Sequence, residues 1–337
     1  MKLHIAYACN TCYMEQTIVS MVSLLEHNRT QQIVLYFIAD HVKPFWIEMA
    51  RRTAAAYGAR LKVVSLDRLL GELKQVLSLQ NSRHPLTIYA KLFLDRICGA
   101  DRILYLDSDT VILDSLLPLW DMEFKNAWAA GVAMPYSDIQ KRRLGLDPAD
   151  TYVCDGILML HLKQWREQCC GQRCVDYIYA KKGRPPMLSE GVVNFICRKR
   201  LLVLHPRYNL MSGMLLWDAA QLMRLYGVQG GYYANREILQ ARYRPVIVHY
   251  LNELYLRPWY AGSGHPYCLA YRYYRKKAGL QSRLPYGRLK TRTYVLRIMN
   301  ACLPFSVFCG IYRRIKGIEQ KRRGQFISRD IMDRCRI

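Results

Sequence analysis

The sequence is poor in acidic residues and has no long, unbroken apolar run. Asp and Glu number 26 against 50 Lys and Arg, which gives the 337-residue chain a formal net charge of +24. Such an excess indicates an acidic partner, namely a nucleotide, a nucleic acid or an anionic membrane surface. The most apolar stretch near the C-terminus, residues 294–312, contains Arg297, Asn300 and Pro304. Because a spanning helix needs about 20 apolar residues, this stretch is too short and too broken to cross a bilayer.

A second pair of closely spaced cysteines that would complete a zinc site is also missing. Cys9 and Cys12 form a CxxC motif, and a separate cluster consists of Cys169, Cys170 and Cys174. A structural zinc ion needs about four ligands at suitable spacing, so we expect the cysteines mainly as small buried thiols. No secretory signal precedes the apolar residues 3–8, and we therefore expect a cytosolic, reducing location.

What the sequence has in abundance is apolar and aromatic residues in alternating strand and helix patterns. Hydrophobic residues make up 51% and aromatic residues 12% of the chain, which excludes a disordered protein. Strands are predicted at residues 3–8, 33–38, 61–64, 103–106, 128–134, 156–162 and 245–250, and helices at 15–27, 44–57 and 87–97. This alternation predicts an α/β fold built on a mostly parallel sheet.

Two carboxylates directly follow the fourth predicted strand. In Asp107-Ser108-Asp109 they are spaced i and i+2, which directs both side chains to one face of an extended segment. The carboxyl end of a parallel strand is where open α/β folds bind ligands. A pair of anionic oxygen ligands there suits Mg²⁺ or Mn²⁺ carrying a phosphate or pyrophosphate. The alternative is that the two aspartates cap the following turn.

Four other polar residues lie near this site or at the ends of predicted elements, and each also has an ordinary structural explanation. Lys91 lies in the helix before the carboxylates and could be a solvated lysine. His249 lies at the end of the predicted strand 245–250 and could bond to a backbone group. Ser189 and Glu190 stand near a predicted helix N-terminus, where hydroxyl and acidic groups are favoured.

The C-terminal fifth of the chain carries most of the positive charge. Residues 271–337 contain 18 Lys and Arg against three acidic residues, and aromatic residues lie among the basic ones. We divide the chain into a main domain, residues 1–265, and a basic, aromatic-rich helical tail, residues 266–337. The tail is expected to lie in an anionic membrane interface. A solvated basic face and a nucleic-acid-binding tail are the alternatives, although no zinc-finger or RNP-like motif supports nucleic acid.

Four motifs occur in an order typical of one known family. They are residues 104–110 (LYLDSDT), 114–120 (DSLLPLW), 156–165 (GILMLHLKQW), and 248–250 (VHY) with 257–259 (RPW). From residue 3 to about residue 260, the chain resembles the bacterial family 8 retaining glycosyltransferases, which include lipopolysaccharide galactosyl- and glucosyltransferases. The resemblance implies a GT-A fold, in which a Rossmann-like mixed sheet binds a UDP-sugar and Mn²⁺.

When the family's residue roles are transferred to the matching positions of this chain, the resemblance implies a site for the UDP-sugar donor. Asp107, Asp109 and His249 would coordinate the metal, and the imidazole would favour Mn²⁺ over Mg²⁺. Asn10 and Tyr13 match the turn that binds uracil, although the family more often has Asp at the first position.

Three further residues belong to the implied donor site. Lys91 stands where the family usually has an arginine and would meet the donor phosphate or sugar. Arg257 would contact the diphosphate, and Ser108 would line the cofactor site. The metal would neutralise the leaving UDP as the sugar bond breaks.

The wall that would face the donor sugar departs from the family. Cys154-Asp155-Gly156 replaces Asn-Ala-Gly or Asn-Ser-Gly, and Ser189-Glu190 replaces Asp-Gln. The missing Asp normally orients the sugar hydroxyls, so Asp155 or Glu190 takes over, or the donor differs, or activity is impaired. We expect Asp155, Ser189 and Glu190 to be the catalytic residues. Glu190 could be a covalent nucleophile, and the other route to retention is front-face attack guided by the departing phosphate.

The expected activity is transfer of a hexose from UDP-glucose or UDP-galactose, with retention of configuration and Mn²⁺ assistance. The expected acceptor is a glycan or glycolipid of lipopolysaccharide or another cell-surface polymer. The expected location is cytoplasmic, on the inner face of the cell membrane, with no nucleic-acid partner. The alternative is a catalytically weakened GT-A domain that binds nucleotide sugars or membranes.

Overall fold

The computed structural model describes residues 1–78 and 85–326, with side chains up to residue 315, so that residues 327–337 of the predicted tail lie outside the described part. The strands are β1 (Lys2–Asn10), β2 (Gln32–Asp40), β3 (Arg60–Ser65), β4 (Ile103–Leu106), β5 (Thr110–Ile112), β6 (Ala129–Ala133), β7 (Val153–Leu160), β8 (Leu201–Leu204), β9 (Leu210–Met211) and β10 (Ile247–His249).

The α-helices of the described residues are α1 (Met14–His27), α2 (Pro44–Ala56), α3 (Leu66–Leu70), α4 (Leu73–Ser78), α5 (Leu117–Trp120), α6 (Asp138–Arg143), α7 (Leu162–Glu167), α8 (Cys170–Ala180), α9 (Leu188–Ile196), α10 (Ser212–Leu216), α11 (Ala219–Tyr226), α12 (Asn235–Tyr243), α13 (Cys268–Lys277), α14 (Thr291–Cys302) and α15 (Phe305–Phe326). Short 3₁₀ segments span Thr11–Tyr13, Leu86–Arg96 and Pro206–Tyr208.

Within the described ranges, seven strands form the central sheet in the order β3-β2-β1-β4-β7-β6-β8. The first four are parallel to one another, β7 is antiparallel to both of its neighbours, and β6 and β8 are parallel. The predicted α/β fold with a mostly parallel mixed sheet is therefore confirmed. β7 begins at Val153, three residues before the predicted strand, so that Asp155 lies inside a strand.

The central sheet is buried on both faces, as its apolar strands predict. In β1, Leu3, Ile5 and Tyr7 join one core cluster with α1 and α2, whereas Ala6 and Ala8 join a second cluster on the opposite face. This alternation follows from the two-residue repeat of a strand. Both clusters support the carboxyl ends of the central strands, where the candidate site lies.

The predicted strand at 245–250 lies outside the central sheet. The part of it that forms a strand, β10, is antiparallel to β5 and parallel to β9, and the three strands form a second small sheet. The predicted helix at 87–97 is a 3₁₀ segment with non-helical backbone angles at Phe93. Both differences arise from tertiary packing, which short apolar patterns do not specify.

The first helix of the predicted tail docks on the main domain. Arg275 Nε lies 2.7 Å from Glu15 Oε1, and Lys277 Nζ lies 2.8 Å from Glu26 Oε1. Tyr271 and Tyr274 of α13 are buried in the core cluster that contains α1. These contacts fix α13 against α1, the helix that follows the nucleotide-binding turn implied by the resemblance.

The last two helices also pack on the domain. Leu296 of α14 and Phe308 and Tyr312 of α15 are buried, and the Phe308 ring is stacked on Trp217 with a centroid distance of 6.0 Å. Some of the apolar side chains of residues 294–312 are thus buried against the rest of the protein. Among the helices in the described ranges, none combines the length and apolar character needed to cross a bilayer.

Candidate functional site

Asp107, Asp109 and His249 lie together where the two sheets meet. One ligand atom from each lies within 4.8 Å of the others, and His249 Nε2 is 3.2 Å from Asp109 Oδ1 and 3.9 Å from Asp107 Oδ2. The aspartates lie in a bend between β4 and β5, not in an extended strand, and the pairing of β10 with β5 sets His249 opposite Thr110. The chain therefore brings two carboxylates and an imidazole to one point.

A glycine keeps the space beside this group open. A Cβ atom on Gly156 would lie 2.5 Å from Cε1 of His249 and 2.7 Å from Oδ2 of Asp107, both shorter than real contacts. The same glycine holds the loop, because Asp107 N–H donates to its carbonyl oxygen at 2.7 Å. Two hard oxygen donors and one imidazole suit Mn²⁺, and Mg²⁺ less well, so the residues present fit the expected divalent cation.

Two buried cations flank the carboxylates. Lys91 Nζ lies 3.5 Å from Asp107 Oδ1 and 3.1 Å from Asp155 Oδ2, and Arg257 Nη1 lies 2.5 Å from Asp109 Oδ2. Burial lowers the pKa of both cations, but Asp107 and Asp155 raise that of Lys91 and Asp109 raises that of Arg257, so that each ends above its usual value. Both side chains therefore stay charged, which suits contacts to the diphosphate of the expected nucleotide-sugar.

One carboxylate of the group and one arginine donor have unusual surroundings. Burial raises the pKa of Asp107, with Asp109 adding to the rise, while Lys91 and His249 oppose it. The net direction is upward because burial outweighs the effect of Lys91 and His249. Arg257 Nη2 is buried and has no hydrogen-bond partner among the described residues, which leaves a donor available for an anion.

The wall formed by Asp155, Ser189 and Glu190 is a connected polar network. Ser189 donates its hydroxyl to Asp155 Oδ2 at 2.6 Å, and Lys91 donates to the Asp155 carbonyl oxygen at 3.0 Å. The Tyr152 hydroxyl donates to Glu190 Oε1 at 2.6 Å. Burial raises the pKa of Glu190 to about 8, with Asp155 adding to the rise and Tyr152 and Lys91 opposing it. Near neutral pH this carboxyl is therefore mainly protonated.

The turn after β1 contains the residues that match the uracil-binding turn. Asn10 Oδ1 accepts a hydrogen bond from the Cys12 backbone at 3.0 Å and so caps the 3₁₀ segment. The Tyr13 ring makes an edge-on contact with Trp259, with a centroid distance of 6.4 Å. Arg257 lies over the same Trp259 ring at 4.9 Å, so this turn adjoins the cationic side of the site.

Ser108, which lies between the two aspartates in sequence, contacts α1 through its side chain. Ser108 is buried, and its Oγ accepts a hydrogen bond from Thr17 of α1 at 2.8 Å. The same Thr17 hydroxyl lies 2.9 Å from the Tyr13 carbonyl oxygen, so Ser108 adjoins the turn after β1. A donor-site role for this residue stays a prediction.

Sequence reasoning missed three residues of the site. Gly156 stood within a recognised motif, but its spatial role was not visible there. Trp259 links Tyr13 and Arg257, and Asn209 Oδ1 lies 3.1 Å from His249 Nδ1. No sequence signal singles out Asn209, which precedes the histidine by 40 positions.

Solved structures share this architecture. An LgtC active-site mutant with glutamate in place of a glutamine has a TM-score of 0.66 and 17% identity, over 82% of this chain and 96% of that one. The galactosyltransferase LgtC in complex with donor and acceptor sugar analogues has a TM-score of 0.61 and 17% identity, over 87% of this chain and 98% of that one. The fold is that of the GT-A glycosyltransferases, as predicted.

Sequence comparison assigns the chain to one family of glycosyltransferases. Residues 4–261 match the model of glycosyl transferase family 8, and the chain belongs to this family. The predicted resemblance is thereby confirmed, and the chain is a transferase by family membership.

Individual relatives are distant. General stress protein A of Bacillus subtilis (strain 168) is 20% identical over 278 residues, which are 81% of this chain and 92% of that protein. Glycosyltransferase GlyF of Streptococcus pneumoniae is 22% identical over 66% of this chain and 52% of its own length. The lipopolysaccharide 1,2-glucosyltransferase of Escherichia coli is 25% identical over 61% and 62%. The chain spans about half of GlyF and under two thirds of the glucosyltransferase.

Proposed function

We propose that the protein transfers glucose or galactose from a UDP-sugar to a glycan or glycolipid acceptor, with retention of configuration and the assistance of Mn²⁺. The observation that carries this proposal is the Asp107, Asp109 and His249 group, flanked by two buried cations in a GT-A fold. The similarity to a lipopolysaccharide glucosyltransferase supports a surface-glycan acceptor.

Each residue of the site has a task in this reaction. Mn²⁺, when bound to the two aspartates and the histidine, would supply Lewis-acid stabilisation of the leaving diphosphate. Arg257 would donate through Nη2 to a diphosphate oxygen, and Lys91 would hold the sugar-facing wall in place through Asp155. Tyr13 would stack on the uracil while its edge contact with Trp259 fixes the ring.

The sugar-facing wall supports Asp155 as the carboxylate that replaces the missing one. Its Oδ2 accepts from the Ser189 hydroxyl and lies 3.1 Å from the Lys91 ammonium group, so this oxygen is held in place from two sides. Glu190 is bonded to Tyr152 and, with a pKa of about 8, offers a neutral carboxyl close in shape to the amide commonly found there. This favours front-face attack over a covalent intermediate on Glu190, because a protonated carboxyl is a poor nucleophile.

The test is UDP release from a panel of UDP-sugars with Mn²⁺ or with EDTA. We expect metal-dependent turnover with UDP-glucose or UDP-galactose, and a loss of about 100-fold or more in Asp109→Asn, which removes a charged ligand. The matched control is Asp114→Asn, because Asp114 is an exposed aspartate in a surface pair with Arg207. Tight UDP binding without metal-dependent turnover for any donor would instead support the weakened, binding-only domain.

We also propose that the C-terminal segment binds the inner face of an anionic membrane. Four apolar side chains of α14 and α15 are 46–56% exposed, namely Tyr294, Val295, Ile298 and Val307. Exposed arginines lie in the same two helices, namely Arg292, Arg297, Arg313 and Arg314. An apolar face with basic neighbours is complementary to the acyl and headgroup layers of an anionic leaflet.

A further inference from the structure

Asn209 is a buried amide that contacts the proposed metal ligand from the side away from the carboxylates. Its side chain has no exposed surface and follows the 3₁₀ segment Pro206–Tyr208, one residue before β9. β9 pairs with β10 in parallel, with Met211 opposite His249. The small sheet therefore fixes the distance between the amide and the imidazole, which is 3.1 Å from Oδ1 to Nδ1.

The polarity of this contact determines which ring nitrogen carries the proton. An amide oxygen can only accept, so a neutral imidazole that bonds to it must carry its proton on Nδ1. Nε2 then keeps its lone pair, and this is the nitrogen that lies 3.2 Å from Asp109 Oδ1 in the ligand group. The Nε2 lone pair is thus available to coordinate a cation beside the carboxylates.

The other half of the Asn209 amide makes no comparable contact. Its Nδ2 is buried and has no hydrogen-bond partner among the described residues. A buried amide donor without a partner costs about 1–3 kcal/mol, so the residue is not explained by its own hydrogen bonding. What Asn209 provides is the acceptor oxygen.

We infer that Asn209 is a positioning residue, which holds His249 in the Nδ1–H tautomer so that Nε2 can bind a divalent cation. The inference rests on the metal site of the proposed function. Partners of this kind orient a ligating imidazole and raise its basicity, and their loss typically lowers metal affinity about 10–100-fold. Asn209 acts on the cation only through the histidine.

The experiment measures Mn²⁺ affinity of the full chain by the loss of the free-ion electron paramagnetic resonance signal. Asn209→Leu keeps the approximate volume but removes the acceptor, and we expect the Mn²⁺ dissociation constant to rise about 10–100-fold. Asn209→Asp removes the unused donor and keeps an acceptor oxygen, so its affinity should equal or exceed that of the wild type. This contrast separates the acceptor role from simple filling of space.

Ser212→Ala is the control for general loosening of the small sheet. Ser212 is equally buried and donates to the Leu251 carbonyl oxygen at 2.7 Å, and no hydrogen bond joins its side chain to His249 in the described part of the chain. Its Mn²⁺ affinity should match that of the wild type, and melting in EDTA verifies folding of each variant. If Asn209→Leu fails to fold, Asn209→Ala takes its place with the same expectation.

Three results would overturn the inference. Wild-type affinity in a folded Asn209→Leu or Asn209→Ala protein would show that the acceptor is not needed. An equal loss in Asn209→Asp would assign the effect to packing. Absence of Mn²⁺ binding by the wild type would remove the metal site itself and the inference with it, whereas the first two results leave the proposed function standing.

Discussion

At the scale of single residues, one missing methyl group keeps the ligand group open. Gly156→Ala would place a carbon within 2.7 Å of both His249 and Asp107, and the buried imidazole has little room to move. We expect Mn²⁺ affinity to fall about 10–100-fold, with UDP release falling in parallel. Gly99→Ala is the control, because a Cβ there meets no atom within 4 Å. Unchanged Mn²⁺ affinity in Gly156→Ala would contradict the site geometry.

The proton on Glu190 gives a second prediction at this scale. At pH 7 Glu190→Gln replaces one neutral group by another, so UDP release should stay within about threefold of wild type; a loss of about 1,000-fold would instead support a covalent nucleophile. The control is Glu48→Gln, at an exposed surface pair with Arg52.

The same residue predicts how stability depends on pH. The Glu190 carboxyl has a pKa of about 8 in the folded protein and an ordinary value of 4.5, so the folded state binds more protons between these two values. Stability from this group is complete below pH 4.5 and is lost as pH rises through 8. Melting at pH 5, 7 and 9 should show the wild type losing stability relative to Glu190→Gln as pH rises. A constant difference would contradict the raised pKa.

Part of the site could be predicted from these residues alone. The spacing of Asp107 and Asp109 after an apolar strand indicated a cation, and the family resemblance added His249. Asn209 could not be found, because its contact depends on the pairing of β9 and β10, which have two and three residues and therefore no readable period. The protonation of Glu190 likewise depends on burial beside Asp155, which is set by tertiary packing.

At the scale of elements, one buried arginine joins α13 both to α1 and to the segment that follows α13. Arg275 is buried and donates to Glu15 Oε1, to the Leu280 carbonyl oxygen and to Ser282 Oγ at 2.6–2.8 Å. Arg275→Met should lower the free energy of unfolding by about 1–3 kcal/mol, because three charge-assisted hydrogen bonds are lost. The readout is chemical denaturation of the full chain.

The matched control on the same helix is Lys277→Met. Lys277 pairs with Glu26, but its side chain is 33% exposed, and exposed pairs contribute about 0–1 kcal/mol. Equal effects of the two substitutions would refute the central role of Arg275. A loss of UDP affinity in Arg275→Met alone would further show that α13 supports the turn before α1.

Elements differ in how well the sequence predicts them. β1 and β2 are long, apolar and buried on both faces, and their predicted positions agree with the structure within a few residues. β5 and β9 have three and two residues and were not predicted at all. The docking of α13 was also missed, since its aromatic and basic residues fit a membrane surface as well as a protein surface.

At the scale of the whole molecule, the positive charge and the exposed apolar face predict salt-sensitive membrane binding. In flotation experiments the full chain should bind vesicles containing phosphatidylglycerol and leave neutral phosphatidylcholine vesicles largely free. Raising salt should release it, because screening shortens the range of the attraction. Equal binding to both kinds of vesicle at every salt concentration would exclude an electrostatic contribution to membrane binding.

A substitution tests how much the apolar side chains contribute to membrane binding, separately from the charge. Ile298→Ser, on the exposed face of α14, should weaken partitioning about tenfold, since a buried apolar side chain is worth about 1.5–3 kcal/mol. Leu239→Ser on α12 is the control, because Leu239 is 58% exposed but lies outside the tail. Binding by Ile298→Ser at wild-type strength would exclude this face from the membrane contact.

Under the proposed function, the metal ligands Asp107, Asp109 and His249 come from two different sheets. This arrangement determines when the site can be complete during synthesis. Asp109 and His249 are 140 positions apart, and the histidine is held by the small sheet that includes β5 and β10. During synthesis, β1 to β4 and the turn that follows β1 leave the ribosome well before residue 249 does. Under the proposed function, the three metal ligands would therefore be complete only after residue 249 has joined the small sheet.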